Sequence, residues 1–168
     1  TMEEAADSNS DLEERLKKAA VGLQEIGSRL SQVRQQAAHA LSKRVHQQLK
    51  ELYMAKAEFM VHFTNQAGAT FTPTGIDDVE FYIRTNPGES MGPLAKIASG
   101  GELSRVMLAL KTIFAANEGV TSIIFDEVDT GVSGRVAQAI ADKIRLIAAN
   151  SQVLCITHLP QVAAVAQH

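Results

Sequence analysis

The residues with the clearest chemical potential in this chain are Ser99-Gly100-Gly101-Glu102, which precede a strongly periodic apolar run. The run predicts an amphipathic helix over about 102–115, because its apolar side chains recur every three or four residues and share one face: Leu103, Val106, Met107, Leu110, Ile113 and Phe114. Ser99 and the glycines then lie at the helix N-terminus, where unpaired N–H groups and the helix dipole favour an anion such as phosphate. The competing interpretation is an ordinary serine N-cap and a glycine turn, with no ligand.

A second set of polar residues follows two short apolar segments, Ser122–Phe125 and Val153–Ile156, which are predicted to be buried strands. Asp126 and Glu127 directly follow the first strand, and His158 closes the second. Ligands gather at the carboxyl ends of parallel strands, so these side chains are predicted to share one sheet edge. There Asp126 would hold Mg²⁺ through water, Glu127 would orient or deprotonate an attacking water, and His158 would contact a γ-phosphate. Taken singly, each has a commoner explanation as a solubilising carboxylate pair or a surface histidine.

An α/β arrangement is needed to position these groups. Between the two strands lie a loop, Asp129–Gly134, with Ser133 as a candidate N-cap, and then a helix with apolar residues at Val136, Ile140, Ile144 and Ile147. Strand–helix–strand with both strands continuously apolar predicts a parallel sheet covered on both faces. A further half-buried strand is predicted at 79–83, where apolar and polar residues alternate.

The N-terminal part of the chain is predicted to form one long helix, from about Asp11 to Phe63, after a polar stretch at 1–10. Its apolar and small residues step by three and four in a heptad pattern, with a one-residue phase slip after Ala37 that resembles a stutter. So narrow a stripe needs a partner helix, and the sequence contains no second long helix. We therefore predict half of a coiled coil whose other strand lies elsewhere.

Basic residues outnumber acidic ones between Arg29 and Lys56 of this predicted helix. In that range Glu51 stands alone against six cations: Arg29, Arg34, Lys43, Arg44, Lys50 and Lys56. Two interpretations stay open, a ridge that faces DNA or the solvated flanks of a coiled coil, and the second is the commoner meaning of such a pattern.

Composition divides the chain near residue 66. Residues 1–66 contain no proline and two of the 11 glycines, whereas 67–168 contain all four prolines. The net charge of −3 excludes a strongly basic, nonspecific nucleic-acid-binding tail. One cysteine excludes an internal disulfide, and the sequence shows neither a membrane span nor a signal peptide. We expect two segments, 1–66 and 67–168, in a cytosolic protein or a piece of one.

The order and spacing of these motifs resemble a known superfamily. Ala98-Ser99-Gly100-Gly101-Glu102 resembles the signature motif of ABC-type ATPases. Ile123–Glu127 resembles their Walker B motif, Asp129–Ser133 their D-loop, and His158 their switch histidine. The resemblance is strong over 77–168 and is closest to the SMC-like ATPases of bacterial double-strand-break repair. Ala98 replaces the leucine usual in the signature, which points away from transporters and from the SMC proteins themselves.

The resemblance implies an α/β fold: the C-terminal half of an ABC-type ATPase head, with a parallel-sheet core and covering helices, preceded by a long coiled-coil helix. It implies ATP and Mg²⁺ as cofactors, with ATP held between two heads so that the signature of one faces the Walker motifs of the other. The resemblance implies that Ser99 and Gly101, in a motif shared with Gly100 and Glu102, contact the γ-phosphate in trans. It implies that Asp126 supports Mg²⁺ and that Glu127 is the catalytic base. Asp129 would belong to the D-loop, and His158 would sense the γ-phosphate.

The implied partners are the N-terminal half of the same head, a second copy through ATP-sandwiched heads, and DNA as double-strand ends or single-stranded overhangs. No membrane is implied, and the implied location is the bacterial cytosol or nucleoid.

One motif of this superfamily is absent from the sequence. No G-x-x-x-x-G-K-[ST] phosphate loop is present, so no lysine is placed to reach the β- and γ-phosphates. We therefore expect the C-terminal part of a longer protein, which begins on the returning helix of the coiled coil. The alternatives are a non-catalytic coiled-coil scaffold or DNA clamp with a degenerate nucleotide fold, and the head of another SMC-family protein.

Overall fold

The computed structural model describes residues 2–65, 71–97, 100–114 and 122–166. Ala98 and Ser99 of the signature-like motif therefore lie outside the described residues. The chain forms two compact units, Thr1–His39 with Phe63–Val79, and Ala40–His62 with Glu80–His168. The predicted division near residue 66 remains a prediction.

The long N-terminal helix is present as α1 (Met2–Glu51), but the prediction that it continues to Phe63 is wrong. A Schellman-type C-terminus ends it: the N–H of Met54 donates to the Leu49 carbonyl at 2.8 Å and that of Tyr53 to the Lys50 carbonyl at 3.1 Å. Tyr53 takes the left-handed conformation this motif needs, with φ 60°. The helix also begins earlier than predicted, so the polar stretch at its start is helical.

In the first unit, most of the heptad stripe of α1 is exposed: Leu12, Leu16, Leu23, Ile26, Leu30 and Val33. A neighbouring face is covered by the segment 71–77. Ser31 Oγ donates to Asp77 at 2.7 Å, and Arg34 Nη1 pairs with the same carboxylate at 3.2 Å. The exposed stripe fits the prediction that α1 needs a partner helix, because apolar stripes of this kind are normally covered.

Three strands follow α1 in the sheet order β1-β2-β3: β1 (Glu58–Asn65), β2 (Asp77–Arg84) and the short β3 (Gly92–Pro93). β2 confirms the strand predicted at 79–83, and it pairs antiparallel with β3. β1 was expected to be helical. Its Phe59 is buried, with its ring 5.3 Å from that of Phe81, so aromatic packing favours the strand.

The α/β part follows the predicted order: α2 (Gly101–Phe114), β4 (Ser122–Phe125), α3 (Gly134–Ala148), β5 (Gln152–Cys155) and the short α4 (Pro160–Ala163). β4 and β5 are parallel, as predicted, with Phe125 opposite Cys155. The N–H of Ile156 extends the pairing by donating to the Phe125 carbonyl at 2.9 Å. The sheet thus brings the residues after each strand to one edge.

The prediction that this sheet is covered on both faces is met on one face only within the described part of the chain. Ile123 and Phe125 are buried, in one hydrophobic core with the apolar faces of α2 and α3. On the other face, Ile124, Leu154 and Ile156 are 67%, 52% and 62% exposed. β4 and β5 are therefore apolar on both faces, and the described residues cover one of them.

Among the described helices, none combines the length and the apolar character needed to cross a bilayer.

Candidate functional site

The first turns of α2 lie directly against the loop that follows β4. Ser104 Oγ donates to the Asp126 carbonyl at 3.0 Å, and Arg105 Nη1 donates to the Thr130 carbonyl at 3.2 Å. Arg105 is buried, and this burial lowers the pKa of its guanidinium, while the charge of Glu102 opposes the shift. The start of the signature-like helix and the carboxylate-bearing loop are therefore held together within one chain.

Gly101 permits this close approach. A Cβ on Gly101 would lie 2.7 Å from the Thr130 carbonyl oxygen and 2.9 Å from Arg105 Nη1. The chain's own atoms therefore occupy the space that a side chain at residue 101 would need. The implied contact of Gly101 with a γ-phosphate stays a prediction. A Cβ at Gly100 would meet no atom of the described residues within 4 Å.

The contact predicts that Gly101→Ala destabilises the protein by roughly 1–3 kcal/mol, because a backbone carbonyl cannot yield as a flexible side chain can. Elsewhere in a helix the same change is usually stabilising. Gly92→Ala is the matched control, since a Cβ at Gly92 meets no atom within 4 Å in the part of the chain that the structure describes. Thermal unfolding of the complete protein is the measurement. Equal melting temperatures for the two variants would contradict the contact.

Asp126 and Glu127 are both exposed, immediately beyond the end of β4. Within the described residues, neither carboxylate has a hydrogen-bond or ion-pair partner, so both are available to a ligand. Glu127 has φ 57°, a left-handed conformation uncommon outside glycine and asparagine. Such strain is often found at functional sites.

The fit to Mg²⁺ rests on donor chemistry. An exposed, unpaired carboxylate at a strand end, such as Asp126, suits Mg²⁺, which commonly takes one or two protein carboxylates together with substrate phosphates and water. In the described ranges, no three His, Cys, Asp or Glu side chains are grouped into an all-protein metal site. Asp126 therefore fits an ion shared with a phosphate ligand.

Asp129 differs from these carboxylates because it is almost completely buried, at 1% exposure. Thr157 Oγ1 and the backbone N–H of His158 both donate to Asp129 Oδ2, the second at 3.3 Å. Desolvation raises the pKa of this carboxyl, but the hydrogen bonds from Thr157 and His158 outweigh it and leave the pKa below its usual value. The structure thus places Asp129 against the residues that follow β5.

His158 keeps most of its side chain in solvent while one ring edge faces Asp129. Its Nδ1 lies 3.5 Å from Asp129 Oδ1, and the side chain is 66% exposed. Glu102 is also exposed, and the Asn86 amide donates to it at 3.3 Å. The Glu102 carboxylate therefore has a partner from its own chain.

Of the residues selected from the sequence, the structure brings Asp126, Glu127, Asp129 and His158 to one sheet edge and places Gly101 beside the same loop. Ser99 lies outside the described residues. The sequence analysis did not select Ser104, Arg105 or Thr157. Their spacing in the sequence does not indicate a functional role, since each acts through a contact made only in the fold. The one available signal is that Thr157 directly precedes the selected histidine, His158.

Comparison with known proteins gives a consistent result. The chain is 55% identical to the DNA repair protein RecN of Halalkalibacterium halodurans, over 99% of this chain and 31% of that protein. It is also 55% identical to RecN of Bacillus subtilis, over 82% of this chain and 26% of that protein. The chain is a homologue of RecN. It spans less than a third of the length of these RecN relatives and matches their C-terminal part. No protein-family model matches it.

Solved structures of SMC head domains have a similar fold. An Smc head domain with a coiled coil and joint from Pyrococcus yayanosii superposes with a TM-score of 0.57 at 20% identity, over 82% of this chain and 25% of that one. The Pyrococcus furiosus Smc head with an extended coiled coil, bound to the C-terminal domain of ScpA, gives 0.54 at 20% identity over 76% and 30%. The RecN homologue therefore has the α/β fold of part of an SMC-type head with a long helix.

Proposed function

We propose that this chain is the C-terminal head segment of an SMC-like ATPase that acts in DNA double-strand-break repair and recombination. The observation that carries the proposal is the single sheet edge that unites Asp126, Glu127 and His158 with the start of α2, in a chain 55% identical to RecN. A purely structural module has no need for two carboxylates that lack a partner among the described residues and share one sheet edge with a histidine. Of the two predicted segments, 1–66 would contribute the returning coiled-coil helix, which ends at Glu51, and 67–168 would form the head segment.

In the proposed mechanism, Glu127 accepts a proton from the attacking water, since its carboxylate is exposed at the strand end and has no partner among the described residues. His158 contacts the terminal phosphate through the ring edge that does not face Asp129. Asp126 would hold Mg²⁺, which supplies charge neutralisation of the phosphates when bound. Ser99 and Gly101 would contact the γ-phosphate of the nucleotide held by the opposite head, within the motif that they share with Gly100 and Glu102.

Two uncovered apolar surfaces support the N-terminal half of the same protein as partner. In the second unit, Ile124, Leu154 and Ile156 form an exposed sheet face. In the first unit, the exposed heptad stripe of α1 fits an antiparallel coiled-coil helix as its partner. We propose that this N-terminal half covers both apolar surfaces and supplies the phosphate loop. Two such complete heads would then dimerise around ATP.

DNA is the other proposed partner, as double-strand ends or single-stranded overhangs. Of the six cations between Arg29 and Lys56, two have roles in the fold: Arg34 binds Asp77, and Arg44 donates to the Ile113 carbonyl at 3.4 Å. The remaining exposed cations, including Lys43 and Lys50, are the candidates for phosphate contacts.

The test of the proposal is nucleotide binding by the complete protein and by this chain alone, measured by calorimetric titration with Mg-ATP. The complete protein should bind ATP, whereas the 168-residue chain should bind it no more tightly than about millimolar, because the phosphate loop normally supplies most phosphate contacts. Micromolar binding by this chain alone would contradict the role assigned to the N-terminal half. Absence of binding to the complete protein would contradict the ATPase itself.

A further inference from the structure

Thr157 links the loops that follow the two parallel strands. Its hydroxyl donates to the buried carboxylate of Asp129 and accepts the N–H of Leu159, the latter at 3.1 Å. Asp129 follows β4 and Thr157 follows β5, so one side-chain contact joins both strand ends. We call this pair the Asp129–Thr157 clamp.

The clamp fixes the backbone on both sides of His158. The N–H of His158 donates to the same Asp129 oxygen that accepts from Thr157, while the other Asp129 oxygen lies 3.5 Å from His158 Nδ1. The carboxylate is buried, and a buried charge without these donors would be costly, so the arrangement is strongly preferred over alternatives. His158 Nε2 lies on the opposite edge of the ring from Nδ1, in a side chain that is 66% exposed.

We propose that Thr157 is a positioning residue for ATP hydrolysis, which acts with Asp129 to orient His158 toward the terminal phosphate. This inference rests on the proposed function and adds to it a residue that does not touch the nucleotide. It also assigns Asp129 a role through His158 in place of direct contact with the cofactor.

The variants are chosen to separate positioning from general structural support. Thr157→Val removes the hydroxyl at nearly constant size, and Thr157→Ser retains it. Each is made in the complete protein, in the wild-type and in the His158→Ala background. Single-turnover experiments with enzyme in excess measure the hydrolysis rate even for slow variants. Steady-state kinetics give kcat and KM for Mg-ATP.

Thr157→Val should lower the hydrolysis rate by about 10–100-fold, because small errors in the position of a catalytic group have large effects on rate. KM should change by less than about threefold, since the nucleotide contacts remain. Thr157→Ser should recover most of the rate. In the His158→Ala background, Thr157→Val should have no further effect, because the residue through which it acts is already absent.

Asp129→Asn provides a second route to the same result. Its side-chain oxygen still accepts from Thr157, but the charge opposite His158 Nδ1 is removed. The rate should fall less than with Thr157→Val and, again, not fall further in the His158→Ala background. If Thr157→Val does not fold, as judged by circular dichroism, this cycle decides the matter.

Several results would overturn the inference: equal losses from Thr157→Val in both backgrounds, a serine variant as slow as the valine variant, or full activity of His158→Ala. Each of these leaves the proposed function intact, provided that the wild-type protein hydrolyses ATP. A complete wild-type protein without ATPase activity would overturn the proposed function and, with it, the role of Thr157.

Discussion

Replacement of Glu127 by glutamine in the complete protein is expected to slow ATP hydrolysis by about 10²–10⁴-fold while ATP binding persists. The amide keeps the size of the side chain but cannot accept the proton of the attacking water. The structure leaves the Glu127 carboxylate exposed and, within the described residues, without a partner, so its loss breaks no intramolecular contact seen there. Steady-state ATPase activity and nucleotide titration measure the two parts of this expectation.

Because bound ATP then persists, head dimers should accumulate in this variant, which size-exclusion chromatography with and without Mg-ATP will show. Glu80→Gln is the matched control, since Glu80 is an exposed carboxylate on β2 away from the sheet edge. It should behave as wild type. Hydrolysis by Glu127→Gln at the wild-type rate would remove Glu127 from the mechanism.

Ser99→Arg is expected to abolish dimerisation and turnover, with at least a 100-fold loss of hydrolysis, while its own subunit still binds ATP. The expectation rests on the sequence motif, in which a small donor faces the γ-phosphate held by the opposite head. A bulky cation in its place blocks that interface. Ser90→Arg, at an exposed loop serine, is the matched control for the introduced charge.

Mixing Ser99→Arg with Glu127→Gln tests whether the signature acts in trans. In a mixed dimer, one composite site takes Glu127 from the first subunit and Ser99 from the second and is fully wild type; the other carries both defects. Each mixed dimer has one intact site of its two and should show about half of the activity of a wild-type dimer, so the restored total is limited by the fraction of mixed dimers. If Ser99 serves the nucleotide of its own subunit, every site stays defective and mixing restores nothing.

The measurement is steady-state ATPase activity against mixing ratio, with crosslinking to confirm that mixed dimers form. A dimer of wild type with the double variant shows whether one intact site turns over by itself. With both controls positive, a flat response across all ratios would exclude the trans assignment.

Periodicity predicted the parts of this fold that depend on local pattern. The helices α2 and α3 and the parallel strands β4 and β5 all follow from the spacing of apolar residues. The end of α1 could not be predicted in this way, because Phe59 and Phe63 continue the apolar spacing of the helix although they lie in β1. The helix ends at a left-handed tyrosine, Tyr53, where the sequence offers no glycine to mark the turn.

The candidate site shows the same limit. Asp126, Glu127 and His158 could be predicted to lie together, because parallel strands align their carboxyl ends. The contacts that hold them could not, since they join residues distant in sequence through backbone carbonyls and one buried carboxylate. The Ser104 hydroxyl donates a hydrogen bond to the Asp126 carbonyl, and the Thr157 hydroxyl donates one to the Asp129 carboxylate. Such contacts depend on the relative placement of whole elements, and no periodic pattern encodes this placement.

The left-handed backbone at Glu127 sets stability and activity against each other at one position. Holding a glutamate at φ 57° costs on the order of 1 kcal/mol, which glycine or asparagine would largely avoid. A library sorted for folding yield or protease resistance would therefore enrich the smaller residues there and lose the proposed base. A library sorted for repair of damaged DNA would retain glutamate. At residue 127, the two kinds of selection favour different amino acids.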